Sequence, residues 1–206
     1  MNIFDEKIGY KKLNQNTSVL MDSCSKLNDF TKTIDKKYAD DVEGLKCQAD
    51  SSLYWKMYNT FLFPYPGFHE LFQSIRSHFF SELGLSNDRY YIQSWLNWYT
   101  EGKYIDWHSH SQSNNSQFMS GYYCVSGNDT ITSFKFEDNT FDVVNQNDYL
   151  IYTKMHTPCV NYQHRTWPVE KEQSPRVTIA FEILHESGIE KHFSGEKEMH
   201  NHWIPL

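Results

Sequence analysis

The stretch RVTIAFEI, residues 176–183, decides how the rest of the chain is read. Val177, Ile179, Phe181 and Ile183 project to one side, while Arg176, Thr178, Ala180 and Glu182 project to the other. A period of two belongs to a strand, here with one apolar face suited to packing beneath a helix. The opposite face carries a guanidinium, so it looks either into water or into a polar cavity. Inside a cavity Arg176 requires an anionic partner, because an unpaired buried charge is very costly.

Working outward, similar β-prone runs occur at YYIQSWLNWY (90–99), FMSGYYCVS (118–126), TITSFKF (130–136) and DYLIYTK (148–154), separated by Asn, Asp, Gly, Ser or Pro clusters. Short strands at this spacing, following helices, predict a sandwich or barrel with the helices packed outside. Aromatic residues make up 17% of the chain, which favours half-buried pleated surfaces. Ahead of the strands, Pro64, Pro66 and Gly67 break the chain, and Phe68, Leu71, Phe72, Ile75, Phe79 and Leu83 then recur at helical spacing. The helix is expected to end near Gly84. Residues 1–50 are polar, with only weak periodicity for one or two short helices, and the tail HFSGEKEMHNHWIPL carries too little pattern to assign. At 206 residues the chain reads as one domain. Residues 1–89 form a polar segment and helices packing on the core, and residues 90–206 form the β core and tail.

Composition excludes several classes of function. A net charge of −7 argues against a general nucleic-acid binder. No apolar run approaches the roughly 20 residues that span a bilayer, and the first residues lack the apolar region of a secretory signal. The expectation is a soluble cytoplasmic protein with no membrane partner. Cys24, Cys47, Cys124 and Cys159 show no CxxC spacing, so they read as free thiols.

The chemistry concentrates in GKYIDWHSHSQ, residues 102–112. His108 and His110 stand two apart, and in a strand both would project from one face around a single ion at roughly 2.1 Å. Alone, such a pair is weak evidence and reads more readily as surface or hydrogen-bonded histidines than as a metal site. Gly102 marks a turn before it, and Tyr104 and Trp107 supply aromatic walls. Downstream come His164, Pro168 and Arg176, with Thr178 two residues further on the arginine's face. His200 and His202 form a second pair with no downstream partner and read as surface. Trp95, Trp98, Trp107 and Trp167 either wall a pocket or belong to the core, and Cys159 lies close to His164 in sequence.

Gly102, Tyr104, His108, His110, SGYY at 120–123, His164, Pro168 and Arg176, in that order, resemble the iron(II)/2-oxoglutarate-dependent oxygenases, most of all the branch common in bacterial and phage sequences. The resemblance covers residues 90–185. It implies a mainly β fold, a double-stranded β-helix (jelly-roll) core with N-terminal helices outside, and iron near the open end of the barrel. It implies His108, His110 and His164 as the metal triad. Arg176 is then the partner of the distal 2-oxoglutarate carboxylate with Thr178 beside it, and Tyr123 and either Asn97 or Tyr99 are secondary donors. The cofactors implied are Fe(II), 2-oxoglutarate and O2, and the default outcome is hydroxylation of a small-molecule or peptide substrate that the sequence does not identify. One departure stands out: His110 occupies the position where the usual triad has a carboxylate, and Asp106 is an alternative ligand on the same expected strand face. Two other readings stay open: a three-histidine cupin-type metalloenzyme that uses no 2-oxoglutarate, and a non-catalytic jelly-roll binding module.

Overall fold

The computed structural model describes residues 7–34, 48–55, 59–81, 84, 89–109, 118–154, 162–186 and 203–206. Eleven strands lie within these residues: β1 (Ile8–Lys12), β2 (Asp50–Ser51), β3 (Tyr90–Tyr99), β4 (Ile105–His108), β5 (Phe118–Ser126), β6 (Ile131–Phe136), β7 (Asn139–Val144), β8 (Tyr149–Thr153), β9 (Tyr162–Thr166), β10 (Arg176–His185) and β11 (Ile204–Pro205). Two α-helices, α1 (Thr17–Lys32) and α2 (Phe68–Ser81), precede β3. The strands form two antiparallel sheets. The larger runs β1-β8-β5-β10-β3-β11 with β2 also on β3, and the smaller runs β4-β9-β6-β7. This is the expected jelly roll, mainly β with helices outside.

The helices cover one face of the larger sheet. α1 starts at Asn16, whose side chain accepts from the Val19 amide at 3.2 Å. It buries Leu20, Cys24 and Leu27 at three- and four-residue spacing. α2 buries Phe68, Leu71, Ile75, His78 and Phe79, as the sequence periodicity predicts, while Leu83 lies outside the described residues. Both stripes meet Val177, Ile179, Phe181 and Ile183 of β10, together with Leu96, Tyr123 and Leu150. Full burial of each such side chain contributes about 1.5–3 kcal/mol, so this layer anchors the sheet. Gly121 of the SGYY run makes the close packing possible. A Cβ there would lie 2.4 Å from the Ile151 carbonyl oxygen and 2.7 Å from the Phe181 ring.

The N-terminal region contributes strands as well as helices: β1 pairs with β8 over five residues, and β2 pairs with the C-terminal end of β3. At the other end of the chain, β11 pairs with Tyr91 and Ile92, and Trp203 and Leu206 are buried.

Between the two sheets the space is divided. On the β1-β8-β5 side it is filled by Ile8, Tyr122, Cys124, Phe134, Phe136, Val143, Ile151 and Tyr162. Towards β3, β10, β4 and β9 it opens into a cavity of about 270 Å³. Among the described residues no helix is long and apolar enough to cross a membrane.

Candidate active site

The cavity floor is built in rows, because three antiparallel strands bring alternate residues side by side. Tyr99 faces Arg176 across the β3–β10 ladder, Asn97 faces Thr178, Trp95 faces Ala180 and Gln93 faces Glu182. On the other side of β10, Tyr122 pairs with Ala180 and Ser120 with Glu182. All of these residues line the cavity. The alternation expected from RVTIAFEI is therefore the observed one, and its polar face looks inward.

His108 and His164 come from the opposite sheet. They are direct Cα partners in the β4–β9 pair, and their rings meet edge to face with centroids 4.1 Å apart. His108 Nδ1 lies 2.9 Å from the Asp106 carbonyl oxygen. That oxygen can only accept, so Nδ1 donates to it, and Nε2 is the ring nitrogen that could bind a metal. Phe134 and Tyr162 flank the His164 ring, at 5.7 and 6.0 Å between centroids. Two imidazoles this close could converge on one ion, and such a donor set suits iron, zinc, copper or nickel.

His110 lies outside the described residues, as do Cys47, Cys159, His156, His192, His200 and His202. Asp106 does not complete the pair: no cluster of three or more His, Cys, Asp or Glu with metal-holding geometry occurs among the described residues. The reason is a β-bulge. The register shifts between Ile105, opposite Thr166, and His108, opposite His164, so three residues on β4 match two on β9. The extra residue breaks strict alternation: Ile105 and His108 both line the cavity, whereas Asp106 does not. The Asp106 carboxylate instead accepts from the Trp107 amide at 2.8 Å.

Arg176 is 1% exposed. Its Nη2 donates to Thr132 Oγ1 at 2.9 Å and Nη1 to the Ile131 carbonyl at 3.4 Å, both on the opposite sheet. The guanidinium carbon lies 5.5 Å from the ring centres of Tyr99 and of Tyr122. Nε has no hydrogen-bond partner, and no carboxylate forms an ion pair with this arginine among the described residues. A buried guanidinium held by neutral groups, with Nε unpaired, has the chemistry to pair with an anion. Gly127 leaves room for the arginine stem: its φ is +135°, and a Cβ would lie 2.9 Å from Arg176 Cγ.

Tyr122 ties this end together. Its hydroxyl lies 2.6 Å from Asn145 Oδ1 and 2.8 Å from Thr132 Oγ1. The amide oxygen only accepts, so the Tyr122 proton goes there, and the Thr132 hydroxyl donates to Tyr122 while accepting from Arg176. Burial pushes the Tyr122 phenol up, against the opposing pull of the Arg176 charge and the Thr132 hydrogen bond, so it remains a neutral donor. Burial also raises the Cys124 thiol to about 12, again opposed by Arg176.

The expected secondary donors divide. Asn97 and Tyr99 both line the cavity, being two apart on one strand. Thr178 does too, and is buried. Tyr123 faces the helices instead: it packs in the outer core, and its hydroxyl donates to Asp148 Oδ1 at 2.9 Å. The tyrosine on the cavity face is its neighbour Tyr122, because successive strand residues point oppositely. The phase of Ser120 and Tyr122 against Glu182 and Ala180 would have identified it only with the β5–β10 register in hand. Thr132 carried no sequence signal. Of the four tryptophans singled out, Trp95 lines the cavity and Trp98 packs with the helix-side core. Trp107 and Trp167 sandwich the Arg165 guanidinium at 4.8 and 4.5 Å.

No protein-family model matches the sequence, and no curated protein does either. Solved structures do share the fold. A prolyl hydroxylase from Trichoplax adhaerens, in complex with a hypoxia inducible factor oxygen degradation domain peptide fragment, aligns at TM-score 0.60 and 10% identity over 93% of this chain and 88% of that one. AviO1 from Streptomyces viridochromogenes Tue57 aligns at 0.59 and 11% identity, over 89% and 92% of the two chains. The viral collagen prolyl hydroxylase of Paramecium Bursaria Chlorella virus-1, in its 2OG complex, aligns at 0.54 and 12%, over 89% and 99%. The resemblance to the 2OG–Fe(II) oxygenases thus holds at the level of fold.

Proposed function

We propose that this protein is an iron(II)- and 2-oxoglutarate-dependent oxygenase, acting as a hydroxylase. The observation that carries the reading is Arg176: a fully buried guanidinium with an orphaned Nε and no carboxylate partner among the described residues, in the same cavity as a facing histidine pair. A dicarboxylate spanning the two would complete both. The shared fold with solved 2OG–Fe(II) oxygenases supports the same reading.

In this reading His108 and His164 hold the metal, with His110 as third ligand. Iron(II), with 2-oxoglutarate and O2 bound, supplies the oxidising chemistry. The chain's own residues bind and orient. Arg176 pairs with the distal carboxylate through its planar fork, a geometry lysine does not reproduce. Thr132 holds one arm of that fork and Tyr122 holds Thr132. Asn97 and Thr178 border the path from arginine to histidines. Trp95 and Phe134 give the cavity wall apolar surface that would disfavour water there.

The deciding experiment is an oxygen-free calorimetric titration of 2-oxoglutarate into Fe(II)-loaded protein. One equivalent should bind to the wild type, and Arg176→Ala should weaken it by more than tenfold. Absence of 2-oxoglutarate binding to metal-loaded protein, with Arg176→Ala indistinguishable from wild type, would transfer the reading to a three-histidine enzyme without this cosubstrate. Absence of stoichiometric metal uptake, unchanged by His108→Ala, would leave a binding module.

A further inference from the structure

The Arg176 end of the cavity is organised from outside it. Asn145, the residue after β7, is fully buried and does not line the cavity. Its main chain clasps the turn between β5 and β6 in both directions. Its amide donates to the Thr130 carbonyl at 2.8 Å, and its carbonyl accepts from the Asp129 amide at 2.9 Å. Its side-chain Nδ2 donates to the same Thr130 carbonyl at 2.8 Å, and lies 3.1 Å from Thr130 Oγ1 and 3.3 Å from Thr132 Oγ1. Thr130 gives its own hydroxyl hydrogen to the Gly127 carbonyl, so its oxygen is an acceptor here.

These partners leave the amide one orientation. The Thr130 carbonyl only accepts, so the nitrogen faces it and the oxygen faces Tyr122. The direction of each hydrogen further in then follows. Tyr122 donates to Asn145 Oδ1 at 2.6 Å, and Thr132 donates to Tyr122 at 2.8 Å. The two lone pairs of Thr132 receive Arg176 Nη2 at 2.9 Å and Asn145 Nδ2 at 3.3 Å. With one hydrogen given and both lone pairs filled, Thr132 has a single arrangement. Without the acceptor at residue 145, the Tyr122 hydrogen is free to turn towards Thr132, and the Thr132 hydrogen then competes with the guanidinium. A second route reaches the arginine stem. Asn145 holds Thr130, Thr130 bonds Gly127, and a Cβ on Gly127 would lie 2.9 Å from Arg176 Cγ.

We propose that Asn145 is a positioning residue for cosubstrate binding. By setting the order of hydrogens through Tyr122 and Thr132, it holds the Arg176 fork in the pose that receives the distal carboxylate, without touching the ligand itself. This rests on the oxygenase reading for the identity of the anion but not for the order of hydrogens. Residues acting through one hydrogen-bond chain are coupled, so their losses do not add.

The test is calorimetry on full-length, Zn(II)-loaded protein with 2-oxoglutarate and with 2-oxopentanoate, which has the same carbon chain but no distal carboxylate. Asn145→Leu should weaken 2-oxoglutarate by about tenfold and leave 2-oxopentanoate unchanged. In a Tyr122→Phe background the same substitution should cost about twofold or less. Equal weakening of both acids overturns the inference, because a general loss of structure does that. So do fully additive losses with Tyr122→Phe. Asn145→Ala replaces the leucine variant if that one lacks wild-type circular dichroism. A proton magnetic resonance measurement on metal-free, full-length protein needs no ligand. The buried Tyr122 hydroxyl should give a slowly exchanging resonance, assigned by its loss in Tyr122→Phe, that shifts or vanishes when Asn145 is replaced. A wild type without that resonance, or one unmoved by the substitution, overturns the inference. If neither acid binds the wild type while the resonance does move, only the oxygenase reading falls. If 2-oxoglutarate binds and both acids weaken alike, only the role of Asn145 does.

Discussion

Arg176 and Thr132 join the two sheets: the guanidinium on β10 donates across the barrel to a hydroxyl on β6 at 2.9 Å. The same hydroxyl touches Tyr122, so one threonine positions both the charge and the aromatic ring beside it. Thr132→Val keeps the shape and removes the hydroxyl. A hydrogen bond to a charged group contributes about 1.5–3 kcal/mol. Binding of 2-oxoglutarate should weaken by about tenfold or more on calorimetry, with metal uptake unchanged.

Gly127→Ala should act on the same arginine from behind. The new Cβ meets the Arg176 stem at 2.9 Å, and the backbone at φ +135° resists a side chain. Strain and overpacking of this kind cost about 1–3 kcal/mol each. The expected result is a lower melting temperature together with weaker 2-oxoglutarate binding. A variant that loses neither would show that the Arg176 stem shifts freely.

Tyr122 and Tyr123 are adjacent and should behave oppositely. Tyr123→Phe removes the bond to Asp148, a residue that also accepts from the Asn14 and Gln15 amides and so ties the N-terminal segment to the sheet. It should lower stability by about 1–2 kcal/mol in urea unfolding and leave 2-oxoglutarate affinity alone. Tyr122→Phe should weaken that affinity. If Tyr123→Phe proved the more damaging to binding, the facing of β5 would be misassigned.

Alkaline pH should destabilise the fold through its buried thiols. Burial raises Cys124 from 9.0 to about 12 and pushes Cys24 up as well. The unfolded chain then releases these protons first, so stability is whole below pH 9 and is lost as pH rises through about 12. Replacing both by alanine should flatten part of the fall in urea midpoint between neutral pH and about pH 10. In a background with Cys47 and Cys159 replaced by serine, a thiol-exchange reagent should label neither residue until urea unfolds the chain.

Much of this architecture was legible in the sequence. β3, β5, β6, β8 and β10 all declare themselves by β-branched and aromatic residues, and α2 by its apolar period. β7 and β9 do not. NTFDVV is an edge strand with mostly exposed side chains, and YQHRT points its polar residues at the cavity on one face and at the Trp107–Arg165–Trp167 sandwich on the other. β1 is short and polar enough to pass for the start of a helix. In the site, Arg176, Thr178 and Glu182 were readable from parity within one strand. Thr132 and Tyr122 were not, because their place depends on which strands lie opposite. Asp106 misled for a related reason: counting residues assumes an unbroken pleat, and β4 has a bulge.

That bulge has a bearing on which changes this segment can absorb. The carbonyl that steers His108 belongs to the main chain of residue 106, so exchanging the aspartate for another residue leaves the imidazole's aim intact. Deleting one residue between Ile105 and His108 would remove the register shift and put the Ile105 carbonyl two residues before the histidine in place of that of residue 106. The orientation of the His108 ring thus depends on the main chain of this segment rather than on the side chain at residue 106.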